Sequence, residues 1–162
     1  MFRKSIKSQA ALEFLTTYGW AFLIILIMIG TLAYFGILTP SKLLPNRCTI
    51  GSEFGCSDHQ LKAAAVRVKL KNNVGEPVDV TSIVLTKEDG SAFTGCTQAP
   101  ASPIAGWKAG EAKDIAWTGC TSTGLVAGNK GKVLLTIKYH VSASAALYDK
   151  DVSGEIYSTV VV

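Results

Sequence analysis

Several signatures that would assign this 162-residue chain to a familiar class are missing. Charged residues make up only 17% of it, low for a soluble domain of that size. No G-x-S-x-G elbow and no glycine-rich phosphate loop opening a helix occurs, which removes the usual hydrolase and nucleotide-binding starting points. There is no C-x-x-C, and His59 and His140 are the only histidines, so a structural zinc site lacks its ligand spacing. No N-x-[ST] sequon is present, and N-glycosylation at such a site is excluded. Between Gly30 and Pro45 no A-x-A pattern follows the apolar run, so the cleavage site of an ordinary secretory peptide is absent.

What is present is uneven. Ala21 to Leu38 reads AFLIILIMIGTLAYFGIL, 18 residues without a charge. At ~1.5 Å per residue it is ~27 Å long, close to the ~30 Å of bilayer hydrocarbon. Three cations, Arg3, Lys4 and Lys7, precede it, and without them the net charge of +4 falls to +1. That distribution leaves no basic face on the remaining chain, and nucleic acid is not expected as a partner. Instead it places the N-terminus in the cytoplasm and sends the C-terminal part outward.

Cys48, Cys56, Cys96 and Cys120 all fall on the outward side, where disulfides form. Four cysteines allow three connectivities; Cys48 with Cys56 and Cys96 with Cys120 is favoured because each pair closes a short glycine-containing segment. A protease acting on this chain is expected to cut ahead of the hydrophobic run and leave the helix on the mature protein. There, Lys7-Ser8-Gln9 is followed by Ala10-Ala11-Leu12-Glu13-Phe14-Leu15 and TTYGWAFLIILIMIG.

This stretch resembles archaeal type IV pilins with a class III signal peptide, over about the first 40 residues, with Ala11 where a serine is frequent in that family. The resemblance implies a leader of residues 1–8, removed by a prepilin peptidase between Ser8 and Gln9, and a mature chain whose fifth residue is Glu13. It also implies a structural subunit of an extracellular filament, with the pilus assembly machinery and other copies of itself as partners and no cofactor or enzymatic activity.

Elementary electrostatics supports a role for Glu13. A carboxylate carried to the bilayer centre costs up to ~3 kcal/mol. Cutting before Gln9 frees an α-amino group, cationic below a pKa of ~8, four residues ahead of it. In a stack of helices the amine of one subunit neutralises the carboxylate of its neighbour, setting register and removing an unpaired charge from an apolar core. The simpler alternative is that Glu13 complements the positive end of its own helix at headgroup level.

From Gln9 to Leu38 a helix is predicted, stopped by Pro40, with apolar residues on all sides. Residues 39–46, TPSKLLPN, read as a linker, and 47–162 as an outer domain. There Leu61 to Lys71 alternates as one strand, with Ala64, Val66, Val68 and Leu70 on one face. NNVGEP turns it into a hairpin with Val78 to Thr86. Lys113 to Cys120, Val133 to Val141 and Glu155 to Val162 add strands. The expected fold is α+β, a long N-terminal helix followed by an antiparallel β-sandwich. Thr97 to Gly110 reads as a loop pinned by Cys96 and Cys120, with Trp107 as a core plug beneath it. His140 reads as a solvated residue on the polar face of its strand. Asp149, Asp151 and Glu155 give a D-x-D-x-x-x-E pattern, a weak hint of calcium lacking the EF-hand glycine; no metal site is assigned.

The leading functional expectation is a pilin that polymerises through its N-terminal helix and serves adhesion, held in the membrane as a precursor and found later in a surface filament. The alternatives are a membrane-anchored or pilin-tethered adhesive, sugar-binding module, and an archaellin used for motility.

Overall fold

The computed structural model describes residues 6–36, 44–144 and 148–162. Residues 1–5 of the expected leader, including Arg3 and Lys4, most of the expected linker (within 37–43) and part of the Ser/Ala bend (145–147) lie outside the described residues. The chain divides into two units between Leu44 and Pro45.

The first unit is a single helix, α1 (Ile6–Tyr34), 29 residues and hence ~43 Å long. It begins within the segment read as leader and ends four residues short of the expected Leu38. Gly36 causes the early stop: its φ of 69° is open to glycine at little cost and turns the chain out of the helix. The N–H groups of Phe35 and Gly36 still reach the carbonyls of Thr31 and Ala33, closing the last turn. Hydroxyls inside the apolar stretch are returned to the backbone, Thr16 and Thr17 to the Glu13 carbonyl and Thr31 to that of Met28. A hydroxyl so bonded is tolerated where no water is available.

The second unit is built of β1 (Arg47–Ile50), β2 (Phe54–Lys62), β3 (Ala65–Asn72), β4 (Val78–Lys87), β5 (Thr97–Ala99), β6 (Ile104–Trp107), β7 (Ala112–Thr118), β8 (Lys130–Val141) and β9 (Lys150–Val161). They form one sheet in the order β5-β7-β3-β2-β9-β8-β4-β6, with β1 also paired to β9. The architecture is therefore α+β, but the sheet is mixed and not wholly antiparallel as expected. The reason lies in β1. It runs antiparallel to β9, Arg47 opposite Tyr157 and Ile50 opposite Gly154, and then reverses into β2. β2 consequently meets the end of β9 in parallel, Leu61 beside Val160 and Lys62 beside Val161.

The sheet curls around one core. Phe54 of β2 packs its ring 5.4 Å from Trp107 of β6, four places along the sheet, and 5.1 Å from Tyr139 of β8, two places along. Trp107 is 0% exposed, the plug the sequence suggested, and its indole N–H donates to the Glu111 carbonyl. Around it lie Leu61, Val66, Leu70, Val78, Ile115, Leu135, Ile137 and Ile156, all buried, from both halves of the sheet.

Three sequence expectations change. The strand read through Leu61 to Lys71 is two strands, β2 and β3, paired as a hairpin whose turn is Ala63-Ala64. Alanine carries no turn chemistry; the turn is held by distant groups, the Thr123 hydroxyl donating to the Ala63 carbonyl and the Cys120 N–H to that of Ala64. Ala64 is accordingly exposed. Second, β3 and β4 do not form a hairpin: β3 pairs with β2 and β7, whereas β4 pairs with β8 and β6. The buried Asn72 redirects the chain, its side-chain amide donating to the carbonyls of Glu76 and Trp107 while its oxygen accepts from the Val74 N–H. Third, Thr97 to Gly110 is not wholly loop, since it carries the two edge strands β5 and β6.

Disulfides join Cys48 to Cys56 and Cys96 to Cys120. The first ties β1 to β2. The second ties the residue before β5 to the segment after β7. Their sequence separations of 8 and 24 residues correspond, by loop-closure entropy, to ~2.5 and ~3.5 kcal/mol. Cys96→Ser with Cys120→Ser is therefore expected to lower the melting temperature of the sheet unit by roughly 10–20 °C and the Cys48/Cys56 pair by less. Scanning calorimetry with and without reductant checks the order, and an unchanged transition would contradict it.

Candidate functional site

On α1 the residues that the sequence reading expects to take part in processing and pairing follow one another along the helix. Ser8 and Gln9 lie in its first turns, and Glu13 is four residues beyond Gln9, so the two positions share a face. Glu13 is exposed, and among the described residues no cation stands within ion-pair distance of its carboxylate. Beyond it, Leu12–Tyr34 is a 23-residue stretch long and apolar enough to cross a membrane, a test that a signal sequence passes equally. Phe22, Leu23, Ile24 and Ile25 are all exposed and, being consecutive, point to all sides of the helix. An apolar surface of that extent marks a lipid or protein contact. Aromatic pairs flank it, Phe14 against Tyr18 at 4.3 Å and Tyr34 against Phe35 at 5.6 Å. Tyr18 and Tyr34 are ~24 Å apart along the axis, suited to the two interfaces of a bilayer.

In the sheet unit the sequence reading of His140 is corrected. It is 9% exposed, because carboxylates from two other segments close over it. Its Nδ1 lies 2.8 Å from Asp149 Oδ1 and its Nε2 3.7 Å from Asp79 Oδ2. A carboxylate only accepts, so the proton of the Asp149 contact sits on Nδ1. Asp79 also accepts from the Gly106 N–H at 2.6 Å and the Ser142 hydroxyl at 2.8 Å, and Thr81 donates to both Asp149 and the Lys138 carbonyl. The cluster thus ties β4, β6, β8 and the approach to β9. Since the two carboxylates contact opposite edges of the imidazole, the arrangement is a strut and not a shared ligand cage. Asp79 and Ser142 carried no signal in the sequence. The strand alternation sends His140 outward, and only the tertiary pairing of Asp79 opposite His140 brings the carboxylate onto it.

The Gly106 N–H first, then the Ser142 hydroxyl and the His140 ring, hold the Asp79 carboxyl below its ordinary value of 3.8. A depressed carboxyl stabilises the fold above the unfolded value and loses that contribution as pH falls through the folded one. The wild-type sheet unit is expected to lose stability below about pH 4, and Asp79→Ala, less stable at pH 6, is expected to lose less over the same window. Parallel slopes in urea midpoints between pH 6 and pH 2 would contradict this.

Asp149, Asp151 and Glu155 do not converge as a calcium loop would require. Asp149 meets His140, Asp151 meets Lys138, and Glu155 meets Arg47 and Lys132. Cys48, Cys56 and His59 lie close together, but the two sulfurs are bonded to each other and are not free thiolates. No protein-family model matches the chain, and no curated protein matches it.

The sheet surface also carries an open polar groove of about 440 Å³. Asn46, Asp58, Gln60, Arg67, Lys69 and Asp114 line it, where β2, β3 and β7 approach the end of β9.

Proposed function

We propose that this chain is the precursor of a pilin-like subunit of an extracellular filament. In this reading α1 holds the precursor in the membrane, and a prepilin peptidase removes the leader between Ser8 and Gln9. The assembly machinery then draws the helix into a bundle of identical helices. The disulfide-bonded sheet unit becomes the outer, sandwich-like domain, on a filament used for adhesion. The supporting observation is that one exposed apolar helix carries Gln9 and Glu13 in its first turns and is followed by a unit with its own closed core. A helix greasy on every side requires apolar surroundings all round; a bilayer supplies them first and neighbouring copies of the same helix afterwards.

The test is mass spectrometry of filaments sheared from the cell surface. A mature chain starting at Gln9 in a polymer is the expected result. A product starting beyond Leu38, or a membrane-bound monomer retaining Met1 to Ser8, would remove the reading and leave an exported or anchored domain.

A further inference from the structure

The cations of the sheet unit are used in two ways. Several are spent within the fold: Lys132 pairs with Glu155 at 3.4 Å, Lys138 with Asp151 at 3.8 Å, Lys113 with Glu111 at 3.0 Å, and Arg47 with Glu155. On the outer face of β3 the alternation that buries Val66, Val68 and Leu70 turns Arg67, Lys69 and Lys71 outward. Among the described residues none of these three has a carboxylate within ion-pair distance.

Arg67 and Lys69 line the groove, and the register surrounds them with hydrogen-bonding groups. Gln60 stands opposite Arg67, while Asp58 and Asp114 stand on either side of Lys69. Among the described residues the side-chain amide of Gln60 and the carboxylate of Asp114 make no hydrogen bond within the fold. An exposed row of donors and acceptors that do not satisfy one another is suited to a polar ligand. The volume of about 440 Å³ falls within the ~300–1,000 Å³ of small-molecule sites.

Charge and chemistry restrict the occupant. Two cations and two carboxylates balance across the groove, so a polyanion gains little from the site as a whole. No phenylalanine, tyrosine or tryptophan lines it, and His59 is the one ring among the lining residues, short of the row of stacking platforms on which single-stranded nucleic acid depends. A ligand with one carboxylate and many hydroxyls matches all the groups present. We infer that this groove binds an acidic saccharide of the uronate class, with the sugar carboxylate on Arg67 and Lys69 and its ring hydroxyls on Asp58, Gln60 and Asp114. The planar guanidinium takes a carboxylate through two parallel hydrogen bonds, and the carboxylates and amide of the groove take the sugar hydroxyls. This inference concerns the sheet unit alone, so its failure leaves the filament reading standing, and failure of helix polymerisation leaves the groove standing.

The test is isothermal titration of the full-length chain in detergent with uronate trimers of the galacto and gluco series, meaning trisaccharides in which one residue is the uronate and the other two are neutral. The corresponding neutral trisaccharides and dextran sulfate serve as comparisons. At least one uronate trimer is expected to bind, its neutral counterpart at least tenfold more weakly. Arg67→Gln is expected to weaken uronate binding at least tenfold, and Arg67→Lys, which keeps the charge but not the two-pronged contact, by an intermediate factor. Lys138→Gln, on the other half of the sheet, is expected to leave binding unchanged. Because Arg67 is exposed, its variants are expected to melt with the wild type, which separates a lost contact from a lost fold. Binding of neither uronate trimer, equal binding of acidic and neutral trimers, unchanged binding by Arg67→Gln, or binding of dextran sulfate alone would each overturn the assignment.

Discussion

Glu13→Ala is expected to insert into the membrane and to be cut before Gln9, yet to yield at most about a tenth of the wild-type filament. The expectation follows from where the carboxylate sits. It lies at the entrance to a 23-residue apolar stretch, exposed along the helix, with the Thr16 and Thr17 hydroxyls engaged on the Glu13 carbonyl and not on its carboxylate. In the proposed filament the new α-amino group at Gln9 of one subunit meets this carboxylate in a neighbour, in surroundings of low dielectric where an unpaired charge is strongly disfavoured. Removing only the carboxylate strands the amine; a tenfold loss of assembly corresponds to ~1.4 kcal/mol and is a conservative figure for such a site. Glu13→Gln separates charge from shape, because it preserves length and hydrogen bonding. Filament mass by shearing, with precursor and mature chain resolved by mass spectrometry, distinguishes an assembly defect from a processing defect. Normal filament yield from both variants would remove the pairing role and leave the helix-dipole explanation.

Trp107→Ala is expected to give the largest loss of stability in the sheet unit, about 3–5 kcal/mol. Trp107 is a large, fully buried side chain contacting Phe54 across the curl, and its indole N–H is bonded to the Glu111 carbonyl. Its truncation opens a cavity at the point where the two halves of the sheet meet and leaves the Glu111 carbonyl with the Asn72 N–H as its remaining donor. The buried Asn72 amide depends on the Trp107 carbonyl as well, so the β3 to β4 crossing should loosen with it. Since domains of this size are stable by only ~5–15 kcal/mol, the variant should melt roughly 10–20 °C lower. Trp107→Phe, which retains most of the volume and loses the indole donor, is expected to fall between the two. Chemical denaturation of all three proteins checks the order, and a Trp107→Ala variant as stable as Trp107→Phe would show that the ring does not plug the core.

Parts of this architecture were legible one residue at a time. The uncharged run, the clustering of cations ahead of it and the position of Glu13 are local facts, readable because a bilayer or a helix bundle acts on a continuous stretch of chain. Strands β3, β4, β7 and β8 were legible because alternation survives without knowledge of the partner. The cysteine pairs were favoured from the short segments they close, and the bonds join those same residues. Elsewhere a distant group decides. Ala63-Ala64 turns because Thr123 and Cys120 hold its carbonyls, and His140 is covered because Asp79 and Asp149 arrive from elsewhere in the chain. The groove is similarly invisible, since Asp58, Lys69 and Asp114 share a row only once three strands are in register.

By itself the sequence determined that an apolar helix precedes a disulfide-bonded strand-rich unit, and which faces of its principal strands are apolar, because hydrophobicity and spacing act along the chain. Tertiary structure alone decided that β1 turns β2 parallel to β9, that the sheet curls so Phe54 meets Trp107, and which polar groups come to share a surface. Strand order and register arise from hydrogen bonds and packing between residues far apart in the chain, and no local pattern encodes them.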